Sequence, residues 1–132
     1  MIFDYENMFL DHKAASSYGT TAAYSDNVVA NGNGGNAYDP AFLVVNVSGA
    51  ATAGGNITVV LQTSDAEAFG SGVVDMATYT VPAGSLGTVV KERIPYGAKK
   101  FLRLKLTGSA AVTGNGKITA GLVWDVDLPL GV

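Results

Sequence analysis

The residues able to do chemistry are few and scattered. His12 is the single histidine, and there is no cysteine. Zero cysteines remove disulfides, thiolate catalysis and cysteine-based metal sites together. A zinc site at His12 would take its other ligands from Asp and Glu alone, an uncommon donor set. No Gly-x-Ser-x-Gly elbow is present, and a Ser-His-Asp triad would have to use His12 within an N-terminal arm. His12 therefore reads as a surface or interface histidine. Asp125 and Asp127 share a face if the chain is extended there, but glycoside cleavage draws its two acids from separate elements. Two outward acids at a strand end read as a solvated rim. Asp65 and Glu67 flank Ala66 and offer oxygens to Ca²⁺, yet a calcium loop needs about six ligands and no further acid is nearby. Asn31-Gly32-Asn33-Gly34-Gly35-Asn36 invites a phosphate-cradle reading. Tyr38-Asp39-Pro40 follows it, where that motif needs a helix and a Lys-Ser or Lys-Thr pair. Trp124 with Tyr79, Tyr96 and Phe101 offers a sugar or base platform, but Trp124 shares a face with Ile118, Leu122 and Val126 and reads as core. These residues predict no enzyme, with no catalytic residue, cofactor, metal or small-molecule substrate.

The elements that would hold these groups are strands. Phe101-Leu102-Arg103-Leu104-Lys105-Leu106-Thr107 places leucines on one side and Phe, Arg, Lys and Thr on the other. Successive strand side chains point to opposite faces, so this is a strand with one dry and one wet face. Asn56–Thr63 alternates in the same way, with Ile57, Val59 and Leu61 inward. Ala41–Val47 is a short, nearly continuous apolar run and predicts a buried strand. Val73–Val81 fits a strand with Val74, Met76, Thr78 and Thr80 on one side and Val73, Ala77, Tyr79 and Val81 on the other. Pro82-Ala83-Gly84 breaks it. Gly87–Arg93 starts the next strand, Tyr24–Val29 is a weak first strand, and Ile118–Val126 is the last. Residues 48–55 and 108–116 are small-residue turns, the second containing Asn115-Gly116. Seven or eight strands at this spacing, with no sustained 3.6-residue period, predict an all-β fold. The expected form is a jelly-roll or β-sandwich of about eight antiparallel strands with an extended N-terminal arm.

At 132 residues the chain makes one domain, 1–132, with 1–23 as the N-terminal arm or first edge and 127–132 as a C-terminal tail. Hydrophobic residues make up 48% and charged ones only 14%, against roughly 25% charged in an ordinary domain. Gly, Ala, Thr, Ser and Val fill the gap, which favours sheet and turns and leaves a surface weakly repulsive to neighbours. Net charge is −3, of the wrong sign for general nucleic-acid affinity. Six of the eight basic residues lie between Lys91 and Lys105: Lys91, Arg93, Lys99, Lys100, Arg103 and Lys105. Such a face can dock on an acidic partner, or serve as a solvated strand face that discourages edge aggregation. No apolar run reaches the ~18 residues of a membrane helix. The first residues carry acids where a secretory signal carries Lys or Arg, so a cytosolic product without membrane association is expected. The apolar residues Phe3, Tyr5, Phe9 and Leu10 predict an arm docked on its own domain or on a neighbour.

Four segments in order carry a resemblance: Met1-Ile2-Phe3-Asp4-Tyr5-Glu6-Asn7-Met8-Phe9; Ile57–Asp65 running into Ala68-Phe69; Ile94–Leu104; and Lys117–Val126. Together they resemble the capsid cement (decoration) proteins of tailed bacteriophages, in particular the jelly-roll type of short-tailed phages. The resemblance implies a virion structural protein on the outer capsid surface, made in the host bacterial cytoplasm. Such a protein bridges major capsid protein subunits, stabilises the shell, self-associates as a dimer and carries no cofactor. It has no catalytic motif to transfer, and Asn31–Asn36 has no counterpart that can be placed. On this reading Phe3, Tyr5, Phe9 and Leu10 form part of a subunit contact, so deleting residues 2–10 is expected to weaken capsid binding and spare the isolated fold. Lys99, Lys100 and Arg103 face an acidic patch on the capsid or a sister copy. The rival expectation is a carbohydrate- or receptor-binding β-sandwich module of a phage particle.

Overall fold

The computed structural model describes residues 8–30, 42–94 and 99–123. In chain order the strands are β1 (Met8–Ala14), β2 (Ala23–Tyr24), β3 (Val29–Ala30), β4 (Phe42–Ser48), β5 (Ala53–Gly54), β6 (Ile57–Ser64), β7 (Val74–Val81), β8 (Gly87–Arg93), β9 (Phe101–Gly108), β10 (Val112–Thr113) and β11 (Lys117–Val123). One 3₁₀ turn, Ala15–Ser17, follows β1. One sheet has the order β1-β11-β4-β8; the other runs β2-β9-β6-β7, with β3 also pairing β9. A small ribbon pairs β5 with β10.

The pairing is nested. β1 pairs β11, β2 and β3 pair β9, β4 pairs β8, and β6 pairs β7, all antiparallel. The chain is thus wound as one long doubled ribbon, first with last, and β11–β4 and β9–β6 knit the ribbon into two sheets. That winding is a jelly roll. The eight expected sheet positions are present, β2 and β3 sharing one of them.

The alternation read from the sequence explains the core. Leu102, Leu104 and Leu106 of β9 meet Ile57, Val59 and Leu61 of β6 on the inner face of one sheet. Leu43, Val45 and Val47 of β4 and Ile118, Ala120 and Leu122 of β11 cover them from the other. Each fully buried Val, Leu or Ile among them contributes about 1.5–3 kcal/mol of transfer free energy. The continuous apolar run of β4 has a reason too: Val44 points away from this core and forms a second cluster with Val123 and Phe42.

The structure refines the expectations at three places. Of the arm or first edge expected over 1–23, Met8–Ala14 is an edge strand of a sheet. Its register against β11 shifts twice, between Met8 and Leu10 and between Leu10 and Lys13. The first shift lets Met8, Phe9 and Leu10 all be buried in succession, which strict alternation forbids. Second, the weak strand at 24–29 is broken into β2 and β3, because Ser25 still bonds to β9 while Asn27 crosses to β1. The Ser25 N–H donates to Leu104 O at 2.8 Å, while the Asn27 N–H donates to Phe9 O at 3.2 Å and Asn27 Nδ2 to Met8 O at 3.3 Å. Third, β7 carries an extra residue at Met76, since Leu61 pairs Ala77 and Gln62 pairs Asp75. Met76 therefore packs on the core while Val74, Thr78 and Thr80 stay exposed.

The small-residue loops hold the roll's end by backbone contact. At Gly55 an added Cβ would sit 2.5 Å from both the N and O of Ala110, so only glycine lets these loops touch. Asn31–Asn36, Tyr96, Trp124, Asp125, the 124–126 end of the last strand and the 127–132 tail lie outside the described residues.

Candidate functional site

The outer face of the β9 sheet carries the most organised polar cluster. β9 and β6 are in continuous register, which puts Arg103 beside Gln62, and the β7 bulge turns Asp75 toward the same Gln62. Arg103 Nε donates to Gln62 Oε1 at 2.9 Å, and Gln62 Nε2 donates to Asp75 Oδ1 at 2.8 Å. One amide thus lies between a cation and an anion. Its oxygen faces the guanidinium and its nitrogen faces the carboxylate, so both charges fix its orientation. The guanidinium carbon also lies 3.7 Å from the centre of the Tyr24 ring and 4.3 Å from that of Phe69. The row runs across the whole sheet: Tyr24 on β2, Arg103 on β9, Gln62 on β6, Asp75 on β7.

Phe69 comes from the loop joining β6 to β7. Its backbone is left-handed, with φ at 53°, and its ring is buried. A non-glycine residue held there is strained unless its surroundings compensate. Here the ring's contact with Arg103 does so. Ser64 Oγ donates to Ser71 O at 2.8 Å and accepts from Ala66 N at 3.1 Å, pinning both ends of the loop. Lys99 Nζ adds a bond to Gly72 O at 3.0 Å, while the Lys99 N–H donates to Thr63 Oγ1 at 2.7 Å. The loop lies latched on the sheet.

The two side edges of the sandwich differ. Between β1 and β2–β3 the edge is closed by Ser25–Asn27 and by Lys13, whose Nζ lies 3.2 Å from Asp26 Oδ1. Between β7 and β8 a groove of about 410 Å³ opens, lined by Tyr79, Thr80, Val89, Val90, Lys91 and Glu92. The Tyr79 hydroxyl there is pushed above the usual phenol range, first by burial and then by Glu92.

The residues singled out from the sequence are dispersed. Phe3 and Tyr5 lie outside the described residues. Phe9 and Leu10, expected at a subunit contact, are wholly inside the domain's own core. Of the two docking sites expected for these residues, the chain's own domain is the one that holds their side chains. Arg103 is enclosed by Tyr24, Phe69 and Gln62, and Lys99 is tied to the β6–β7 loop. Lys100 is exposed. His12 sits exposed at a bulge with φ at 53°, its Nδ1 2.7 Å from Asp11 Oδ1. Asp65 and Glu67 are exposed on the latched loop. Among the described residues no three of His, Cys, Asp and Glu come together.

Tyr24, Gln62, Phe69 and Asp75 were not anticipated as a cluster. A lone large aromatic among Ser, Asp, Ala, Glu and Gly at 64–72 was the signal for Phe69. Gln62 and Asp75 gave none, since their meeting depends on register. What the cluster can do is hold a face rigid: the Gln62 amide is bonded on both sides and the Arg103 guanidinium is stacked between two rings. The chain matches no protein-family model and no curated protein sequence.

Proposed function

We propose that this chain is a capsid cement protein: a virion structural protein that binds the outer surface of a phage head, bridges major capsid protein subunits and stabilises the shell. One observation carries the reading. Two of the segments that bear the resemblance, Ile57–Phe69 and Ile94–Leu104, meet in space. They supply the paired strands β6 and β9 and set the Phe69 ring on Arg103. These two segments share one sheet, while Met8–Phe9 and Lys117–Val123 pair in the other. A face whose side chains are already fixed loses little entropy on docking, which suits recognition by shape. Repetition over a lattice then multiplies contacts that are individually weak.

The test uses heads assembled from the major capsid protein of the same genome. The purified chain is sedimented with them, and occupancy and head melting temperature are read. Saturable occupancy in a fixed ratio to the capsid protein, with a raised melting temperature, is expected. No co-sedimentation rejects the reading. Binding to a glycan array without binding to heads would replace it by the carbohydrate- or receptor-binding module.

A further inference from the structure

Among the described residues the two sheets have four edges, and three of them are guarded. β1 is twice bulged, and its Met8 and Phe9 carbonyls are taken by Asn27. β2 and β3 are two residues each. β8 ends in the exposed charges Lys91, Glu92 and Arg93. Such devices keep sheet edges from adding a foreign strand. β7 has none of them over its second half. It is eight residues long with one charge, Asp75, which is held by Gln62 outside the regular stretch. From Ala77 to Val81 it keeps unbroken register with Ile57–Leu61.

That stretch is complementary to itself. Ala77, Tyr79 and Val81 are half-buried or buried on the inner side, and Thr78 and Thr80 are exposed on the outer side. We propose that β7 is a self-association edge. Ala77–Val81 of one copy pairs antiparallel with the same residues of a second copy about a two-fold axis at Tyr79, joining two sheets into one. In that register Ala77 faces Val81, Tyr79 faces Tyr79, and Thr78 faces Thr80. Apolar residues thus meet apolar residues on the inside, and hydroxyls meet hydroxyls outside, a favourable cross-strand pairing. No like charges oppose each other. The groove between β7 and β8 lies directly beneath the incoming strand, and the partner's inner side chains roof it. The contact is isologous, so it closes at two copies and does not propagate.

Sedimentation equilibrium of the full chain, without heads, tests this independently of the capsid reading. The wild type is expected to show a monomer–dimer equilibrium below about 0.1 mM. Thr78→Lys with Thr80→Lys opposes cations at both outer contacts and weakens the dimer about tenfold or more. Thr78→Lys with Thr80→Glu opposes unlike charges and retains it. Both positions are exposed, so circular dichroism and the thermal transition should match the wild type. A mixture of Thr78→Cys and Thr80→Cys chains, with oxidised glutathione as oxidant, is expected to give a disulfide-linked heterodimer, and either chain alone is not. A monomeric wild type, a dimer indifferent to the paired lysines, or a Lys/Glu variant that dissociates like the Lys/Lys one overturns the proposal.

Discussion

Tyr18 takes its ring into the core, and its hydroxyl is buried without a hydrogen-bond partner among the described residues. An orphaned hydroxyl costs its lost hydration, so Tyr18→Phe is expected to raise stability by about 1 kcal/mol near neutral pH. Burial, then Asp26, pushes the Tyr18 phenol well above its ordinary value of 10.0. The folded state therefore holds this proton more tightly than the unfolded chain does. The stability linked to it is intact below about pH 10 and falls as pH rises beyond that. Urea midpoints at about pH 8 and about pH 11 check both points. Tyr18→Phe should be the more stable at the first and lose less between them, with the raised Tyr79 phenol contributing to the slope that remains. A variant less stable at about pH 8 contradicts the orphan assignment. Arg103 is the opposite case, a polar group bonded through Nε and stacked on two rings. Arg103→Ala removes both ring contacts and strands Gln62 Oε1 in a site only 6% exposed. A loss of about 2–3 kcal/mol is expected, of which Arg103→Lys recovers less than half, because an ammonium cannot stack as a plane. Faster hydrogen exchange across residues 65–73 should accompany it; a loss under about 0.5 kcal/mol refutes the latch.

At the scale of elements, β1 decides whether the N-terminal region is arm or scaffold. Phe9→Ala is expected to cost about 3–5 kcal/mol, the usual loss for an emptied aromatic site in a core. Deletion of residues 2–10, which the sequence suggests is harmless to the fold, removes the start of β1 with Phe9 and Leu10 and uncovers one edge of β11. The expected outcome is loss of the cooperative thermal transition followed by near-ultraviolet circular dichroism; a truncated chain that melts like the wild type returns the segment to the status of an arm. The contrast with β9 shows what sequence pattern can carry. Leu102, Leu104 and Leu106 keep strict alternation and land in the core as expected. Phe9 and Leu10 are adjacent, so period-two reasoning could not bury both, and only the bulge against β11 does. β7 misled in the same manner: Met76 was grouped with Thr78 and Thr80 until an extra residue turned it inward.

For the whole molecule, the low charge and the nested winding act together. The first and last of the described strands are neighbours, as Met8 beside Gly121 illustrates, so their sheet closes only when distant parts of the chain have come together. The basic run that looked like one patch is divided by this folding. Arg103 lies between two rings and Lys99 is bonded to Gly72 O, while Lys100 is exposed and Lys91 and Arg93 lie exposed on β8 of the other sheet. In the head-binding experiment the salt response is accordingly expected to be modest. A several-fold loss between about 0.05 and 0.5 M salt is anticipated, reduced in Lys100→Ala. A loss of many orders of magnitude would point to a partner that reads charge and not shape. Self-pairing through β7 would double the number of lattice contacts per particle of cement, and avidity makes that doubling worth more than its area.

The sequence by itself determined that the chain is all-β, that its leucine and valine stretches alternate about a core, and that its glycine- and alanine-rich segments turn. Those are local properties, because side-chain direction along a strand has a period of two and turn geometry depends on a few adjacent residues. Which strand pairs which, that β1 belongs to the core, and that Asp75, Gln62, Arg103 and Tyr24 form a single row were decided only by the tertiary structure. Hydrogen bonding between strands joins residues up to a whole chain length apart, and a one-residue change of register moves every side chain to the opposite face.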